Sequence, residues 1–191
     1  MLNAYLRADG RKGIRNTVVV AYLVECAHHV SREIVFPYRE QGVHLIGFPG
    51  CFPNVYSHKM MERLCTHPNV GAALLVSLGC EGFNKGKLQE TVRKSGRPVK
   101  LIEIQGTGGT RKTIAEGKAW IEQTLKQLED TPRTPMGIDE LVVGTICGGS
   151  DATSGLTANP AMGRAFDKVG HHDGVADALA AARAEIGVEH D

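Results

Sequence analysis

Four cysteines of this chain each follow a short apolar run. Cys26 follows the apolar residues 17–24, Cys51 follows 43–48, Cys80 follows 72–78 and Cys147 follows 141–146. Short runs that stay apolar are typical of strands buried on both faces of a parallel sheet. Ligands bind beyond the carboxyl ends of such strands, where all four cysteines would lie. The pattern therefore predicts a reactive or ligand-binding edge.

The chemistry that these thiols offer is metal binding or thiolate reactivity. A cysteine at a helix N-terminus has its thiolate favoured by the helix dipole, and thiolates suit iron, zinc or an iron–sulfur cluster. Cys51, Cys80 and Cys147 are the predicted metal ligands, and Cys26 is a further candidate. The alternative is four small core residues, since free cysteine is among the most buried types. Cys65, inside a predicted helix, is assigned to the core.

The elements that must position this edge alternate along the chain. A fifth strand is predicted at 99–104, and helices are predicted at about 29–41, 57–67, 87–94 and 110–129. Pro37 is expected to end or kink the first helix, and Ser57 to cap the second. Four βα units in a row predict an α/β fold. The expected architecture is a doubly wound, mostly parallel Rossmann-like sheet with helices on both faces, followed by the start of a second α/β unit.

The segment 131–137 is the best candidate for a domain boundary, because it holds two prolines and no apolar period. We expect a Rossmann-like domain at 1–130, a linker at 131–137, and a partial second domain or docking segment at 138–191. So short a remainder is near the lower size at which a core stabilises itself. It indicates a fragment, a truncated gene or a swapped partner.

Composition excludes several classes of protein. The hydrophobic content of 42% and the 23 glycines fit a globular chain with many tight turns. A net charge of +1 without a basic block argues against nucleic acid. The sequence lacks a long apolar run and a signal peptide, so no membrane association is expected. Scattered cysteines are typical of reduced thiols, which predicts a cytoplasmic protein. The first strand is not followed by G-x-G-x-x-G, which argues against a nucleotide cofactor.

Four stretches, taken in order, resemble the large catalytic part of the altronate and galactarate dehydratase family. They are residues 5–16, 68–81, 108–113 and 147–160. Two features depart from that family. Many members carry Asn-Cys-Ser-Ala where this chain has Glu25-Cys26-Ala27-His28, and the family continues well beyond the Asn159-Pro160 motif. The second departure raises the alternative of an inactive fragment, or of a split subunit that needs a second chain.

The resemblance implies a lyase that dehydrates a sugar acid, of the altronate or galactarate type, to a 2-keto-3-deoxy acid. It also implies a divalent metal, Fe(II) by preference, as the cofactor. In such a reaction a base removes the C2 proton, an acid protonates the departing C3 hydroxyl, and a cation or clustered donors stabilise the enediolate. The expected partners are the sugar acid and either further copies of the chain or a second subunit. The same family includes a sulfolactate sulfo-lyase, which keeps a sulfonate leaving group open.

With the resemblance, the loop after Cys147 becomes the strongest candidate site. Its glycines let backbone approach a ligand, and successive N–H groups can form an anion nest. The predicted catalytic residues are Cys147, Ser150, Asp151 and His58. The predicted substrate-binding residues are Gly148, Gly149, Thr153, Ser154, Asn159, Thr110, Arg111 and Lys112. The alternative for the loop is a polar turn in which Asp151 or Ser154 caps the next helix.

Three other features leave alternatives open. The glycine-rich segment 105–113 has the wrong spacing for a Walker A motif, but it could cradle a carboxylate with Arg111 and Lys112. It could equally be a strand–helix turn with solvated basic residues.

His58 is either a base or ligand, or a packing residue. The polar residues of 7–16 precede the first strand and indicate a structural ion-pair network or a contact to another domain. A module that only binds a small molecule remains a further alternative.

Overall fold

The structure is a computed structural model that describes residues 2–146, 149 and 151–170. The chain divides into two compact units, one of Ala4–Thr134 and one of Met1–Asn3 with Pro135–Asp191. Among the described residues, no helix is both long and apolar enough to cross a membrane.

The described residues form seven strands and seven α-helices. The strands are β1 (Leu2–Leu6), β2 (Lys12–Gly13), β3 (Thr17–Tyr22), β4 (Val43–Gly47), β5 (Val70–Ser77), β6 (Val99–Glu103) and β7 (Arg133–Met136). The helices are α1 (His28–Val35), α2 (Val55–Cys65), α3 (Lys85–Lys94), α4 (Ile104–Thr107), α5 (Thr110–Glu129), α6 (Ala152–Leu156) and α7 (Ala158–Gly170).

The central sheet has four parallel strands in the order β4-β3-β5-β6. In its register, Val20 of β3 lies opposite Leu45 of β4 on one side and Leu74 of β5 on the other. Since β3 has neighbours on both sides, the chain first winds outward to β4 and then crosses back to β5. The predicted doubly wound sheet is confirmed, with its switch point between β3 and β5.

Helices cover both faces of this sheet, as predicted. Alternate residues of a strand point to opposite faces, so Val18 and Val20 pack with residues of α1 and α5. Val19 and Ala21 pack on the other face with residues of α2 and α3. Every residue of β5 is buried, which explains the continuous apolar run of this central strand.

Helix ends follow local chemistry. α1 stops at Val35, and Pro37 lies in a 3₁₀ turn, Phe36–Gln41, that closes on Gly42 with φ 80°. The prediction that Ser57 caps α2 is wrong. Asn54 is the cap, because its extended backbone lets its side chain accept a hydrogen bond of 2.8 Å from the Ser57 N–H. The predicted bounds of α5 are confirmed.

The strand predicted at 141–146 is wrong. These residues form no strand, and Val142 and Ile146 are 94% and 96% exposed. A strand exists only where a neighbour takes up its backbone hydrogen bonds, and the described residues give this run none. The structure also contains two features that the sequence did not reveal. The stretch before β3 forms the β1–β2 hairpin, and the predicted linker contains β7, in a three-stranded sheet of order β2-β1-β7.

The amino edge of the central sheet carries the polar residues that precede β3. The Arg7 guanidinium donates to the carbonyls of Pro68 at 2.7 Å and Arg15 at 2.9 Å, and to Asn16 Oδ1 at 2.8 Å. Asn16 Nδ2 in turn donates to the Leu128 carbonyl at 3.2 Å. These bonds join the hairpin to the end of α5 and to the turn before β5, and Arg11 pairs with Asp9 at 2.7 Å. The predicted structural ion-pair network is confirmed, and the contact to another domain or subunit stays a prediction.

Candidate active site at the carboxyl edge of the sheet

Three of the singled-out cysteines lie at the carboxyl edge of the central sheet. Cys26, Cys51 and Cys80 follow β3, β4 and β5, and all three are exposed, whereas Cys65 is buried. The core alternative is therefore wrong for these three thiols and right for Cys65. Burial raises the pKa of the Cys65 thiol to about 12, which leaves it protonated at neutral pH.

The predicted metal role of these thiols has no complete ligand set in the part of the chain that the structure describes. Among those residues, no group of three or more His, Cys, Asp or Glu side chains could hold a metal ion. Of the three predicted ligands, Cys51 and Cys80 are described and Cys147 lies outside the described residues. The metal site stays a prediction.

A cavity of about 460 Å³ opens at the same edge, between the starts of α2 and α3. Its lining residues are Pro53, Asn54, Val55, His58, Lys59, Glu62, Gly82, Asn84 and Lys87. The two helices begin alike, because the Asn54 side chain accepts from the Ser57 N–H and the Asn84 side chain from the Lys87 N–H. The positive ends of two helix dipoles therefore lie at one cavity, which favours a negatively charged ligand.

Three neighbouring groups hold the His58 ring at the wall of this cavity. Its Nδ1 lies 3.3 Å from Glu62 Oε1, and its Nε2 lies 3.3 Å from the Asn84 carbonyl oxygen. The ring stacks on Phe83, with 4.9 Å between ring centroids. Both ring nitrogens thus face oxygen acceptors, so a protonated ring can donate to both. These contacts hold the ring in one orientation at the wall of the cavity.

Glu62 connects His58 to α3. Besides the histidine, its Oε1 accepts a hydrogen bond of 3.4 Å from Thr91 Oγ1 and lies 3.8 Å from Lys87 Nζ. Lys59 is a second lysine in the lining. Two lysines and a histidine accompany this one lining carboxylate, so the balance of charge also favours an anion.

A second polar cluster lies at the ends of β5 and β6. The Ser77 hydroxyl donates to Glu81 Oε1, and the Gly79 N–H donates to Glu81 Oε2 at 2.8 Å. Lys85 Nζ donates to Ser77 Oγ at 3.2 Å and to Glu103. Burial acts to raise the pKa of Glu81, but the hydrogen bonds from Ser77 and Gly79 outweigh it and hold that pKa below its ordinary value.

Gly79 sits in the turn that follows β5 and has φ 130°, where a side chain is strained. A Cβ at this position would lie 2.5 Å from Gln105 Oε1. A glycine therefore fits this turn, in which the Gly79 N–H donates to Glu81. Sequence reasoning missed the roles of Glu62, Glu81, Lys85 and Glu103. The available signals were the position of Glu62 one helical turn beyond His58, of Glu81 in the loop after β5, of Lys85 at the start of α3 and of Glu103 at the end of β6.

The predicted substrate-binding residues at 110–112 lie in the first turn of α5. Arg111 and Lys112 are exposed, and neither lines the cavity that holds His58. The structure therefore places them at the same edge of the sheet without bringing them into that cavity. Whether they bind a carboxylate stays a prediction.

The loop after residue 146 is partly described. Cys147, Gly148 and Ser150 lie outside the described residues, and Gly149 is exposed. Asp151 caps α6, since its Oδ1 accepts from the Ser154 N–H at 2.8 Å, as the capping alternative predicted. The hydrogen bond from Thr153 and that N–H lower the pKa of Asp151. Thr153 and Ser154 lie in α6, and Asn159 lies in the first turn of α7.

Fold and cavity together define an α/β protein with a cavity at the carboxyl edge of its sheet that two lysines, a histidine and a glutamate line. A family model described as D-galactarate dehydratase/altronate hydrolase, second domain, matches residues 4–129. A second, described as D-galactarate/altronate dehydratase, C-terminal, matches residues 138–190. The chain belongs to the D-galactarate dehydratase/altronate hydrolase family, and the resemblance noted in the sequence is confirmed.

Curated relatives carry names from the same chemistry. Altronate dehydratase of Escherichia coli is 28% identical over 178 residues, covering 86% of this chain and 36% of the relative. The (2R)-sulfolactate sulfo-lyase subunit beta of Chromohalobacter salexigens is 31% identical, covering 86% of this chain and 42% of the relative. Galactarate dehydratase (L-threo-forming) of E. coli is 30% identical over 116 residues, covering 57% of this chain and 22% of the relative. The chain spans well under half the length of these relatives. No solved structure matches.

Proposed function

We propose that this chain is part of a lyase that removes water from a sugar acid of the altronate or galactarate type and yields a 2-keto-3-deoxy acid. Family membership supports the class of reaction. The observation that carries the proposal to a site is the basic cavity around His58, between two helix N-termini at the carboxyl edge of the sheet. A sugar acid needs such a site for its carboxylate.

Within this proposal, Lys59 and Lys87 bind the substrate carboxylate. Both line the cavity, and α2 and α3 direct the positive ends of their dipoles there. A base, which is not assigned to a residue here, takes the C2 proton, and the same groups stabilise the negative charge that then develops on the carboxylate. Electrostatic stabilisation of this kind contributes several kcal/mol, on the order of 3 kcal/mol for one well-placed donor.

His58 is the proposed acid that protonates the departing C3 hydroxyl. Its contacts with Glu62 and the Asn84 carbonyl hold the ring in one orientation. The contact of Nε2 with the Asn84 carbonyl is long, at 3.3 Å, so a substrate hydroxyl that replaces this carbonyl would receive the proton from Nε2. Such proton transfer contributes about 10²–10⁴-fold in rate.

A divalent cation, Fe(II) by preference, remains part of the proposal on the strength of the family resemblance. When bound, it supplies further stabilisation of negative charge on the substrate. The described residues contain no group of three ligands for it, so Cys51 and Cys80 are proposed as two contributors and no step is assigned to the metal.

Turnover by the purified chain tests the proposal. The chain is incubated anaerobically with altronate or galactarate and ferrous iron, and 2-keto acid formation is measured. We expect His58→Gln to lower the rate at least about 100-fold. The matched control His44→Gln, an exposed residue of β4, leaves it unchanged. Equal rates for the two variants contradict the assignment of His58. Product formation that needs a second polypeptide supports the split-subunit alternative.

The sulfo-lyase is the second candidate function, and one observation favours it. The sulfolactate sulfo-lyase subunit matches with the highest identity of the relatives given above. The same cavity would bind the carboxylate of sulfolactate, and sulfite would leave in place of hydroxide. Incubation with sulfolactate and a sulfite assay separates the two reactions.

The same assays test the alternative of a binding module. A chain that binds these acids tightly, without turnover and without metal dependence, is a binding module.

A further inference from the structure

Three guanidinium groups converge at the amino edge of the sheet, opposite the proposed active site. They bind three successive carbonyls in the turn after α2. Arg11 donates to the Thr66 carbonyl at 2.7 Å, Arg97 to that of His67 at 3.2 Å, and Arg7 to that of Pro68 at 2.7 Å. The carbonyls lie at the negative end of the α2 dipole, which partly compensates the positive charges.

Two of these guanidiniums are buried. Arg7 is 8% exposed and Arg97 is 4% exposed. Among the described residues, the carboxylate of this cluster is that of Asp9. It lies 3.6 Å from the Arg97 guanidinium and 2.7 Å from that of Arg11. Burial, together with the charge of Arg97, lowers the pKa of Arg7 to about 10. A buried charge is normally paired, and here the ion pairs of Asp9 are with Arg11 and Arg97, while Arg7 donates to neutral oxygens.

A cavity of about 230 Å³ adjoins the two buried arginines. It is lined by Leu6, Arg7, Ala8, Gly71, Ser95, Gly96, Arg97, Pro98, Gln127, Leu128 and Thr131. Since a water molecule takes about 30 Å³, the space holds a tetrahedral oxyanion with a few waters. It is half the volume of the cavity around His58.

We propose that this amino-edge cavity binds a small tetrahedral oxyanion of the inorganic phosphate class, which adds negative charge beside Arg7 and Arg97. Each guanidinium has five N–H donors, and in both Arg7 and Arg97 each of the three nitrogens already donates to one acceptor. The second N–H of each terminal nitrogen is the donor that the anion would use. The anion stabilises the link between the hairpin, the turn before β5 and α5. The site is separate from the proposed active site and does not depend on the proposed function.

Thermal unfolding in phosphate is the test. The unfolding temperature of the full chain is measured across a phosphate series, with sodium chloride at matched ionic strength as reference, and binding is measured by calorimetry. We expect phosphate to raise the unfolding temperature by about 2–5 °C over chloride at ten times its dissociation constant. A phosphomonoester series distinguishes free phosphate from an esterified ligand, since the bulkier ester should shift the temperature less.

Gln127→Glu is the decisive variant, because it places a carboxylate at the cavity from the exposed face of α5. We expect it to raise the unfolding temperature without phosphate and to abolish the phosphate-dependent increase. The matched control Gln123→Glu, one helical turn away on the same helix, should change neither. An unfolding temperature equal in phosphate and chloride overturns the proposal. So does a phosphate response that Gln127→Glu retains in full.

Discussion

At the scale of the residue, two carboxylates fix the polar groups of the carboxyl edge. Glu62 orients His58 and contacts α3, while Glu81 ties Ser77 to the Gly79 turn. The two differ in what they do for the site. Glu62 lines the cavity and acts on a side chain proposed to meet substrate, whereas Glu81 shapes the loop that follows β5.

The stability that Glu81 contributes should depend on pH. Its pKa is lower in the folded chain than in the unfolded one, so its contribution is present above about pH 4.3, the unfolded value, and is lost as the pH falls through the folded pKa. Glu81→Gln should cost about 1 kcal/mol of unfolding free energy at pH 7, after allowance for solvent screening, and less at pH 3. Urea unfolding at the two pH values measures this.

The control for that comparison is Glu40→Gln, an exposed residue in the turn after α1. It should change the unfolding free energy by less than about 0.5 kcal/mol at both pH values. A loss in the Glu81 variant that is the same at pH 3 and pH 7 would show that its carboxylate charge is not what stabilises the loop.

The thiols should react in two classes. Cys26, Cys51 and Cys80 are exposed, while burial keeps the Cys65 thiol protonated. Short treatment of the native chain with iodoacetamide, followed by peptide mass mapping, should modify those three at least ten times faster than Cys65. In urea all four should react at similar rates. Labelling of native Cys65 as fast as that of Cys80 would contradict the burial described here.

At the scale of the element, α1 and α5 pack closely through a glycine. A Cβ on Gly117 would lie 2.5 Å from Cδ1 of Ile34, a fully buried side chain. Gly117→Ala should therefore destabilise the chain by about 1 kcal/mol, because overpacking outweighs the better helix propensity of alanine. The unfolding free energy from urea titration measures the change.

Gly86 in α3 provides the matched control. A Cβ there would meet only Asn84 Oδ1, at 4.0 Å. Gly86→Ala should stabilise the chain by about 0.5–1 kcal/mol through helix propensity alone. The two substitutions are chemically identical, so effects of the same sign would refute the close packing of α1 against α5.

The sequence predicted these elements where one local signal dominated. The stripe from Ile114 to Leu128 marked α5, and Pro37 marked the end of α1. Prediction from the sequence failed where pairing with residues distant in the chain decides whether a strand forms. The run at 141–146 has the composition of a strand but lacks a described neighbour, and the β1–β2 hairpin depends on partners distant in sequence. The cysteine edge was predictable from local patterns, and so was the i,i+4 pair of His58 with Glu62, whereas the contact of His58 with Asn84, 26 residues away, was not.

At the scale of the whole molecule, the central sheet separates two sites of positive charge. The carboxyl edge carries the His58 cavity, and the amino edge carries the buried arginines. The parallel sheet produces this separation, since all four strands end at one edge and begin at the other. The relatives are more than twice as long as the chain, so binding at the His58 cavity is a more direct test of that site than turnover.

Calorimetric titration of the chain with galactarate tests the central claim, that the His58 cavity binds the carboxylate of a sugar acid. We predict that Lys87→Met weakens binding at least ten-fold. Lys94→Met, on the same helix but paired with Glu90 outside the cavity, should leave it unchanged. Absence of binding by the unaltered chain, or equal affinity in the two variants, would contradict the account.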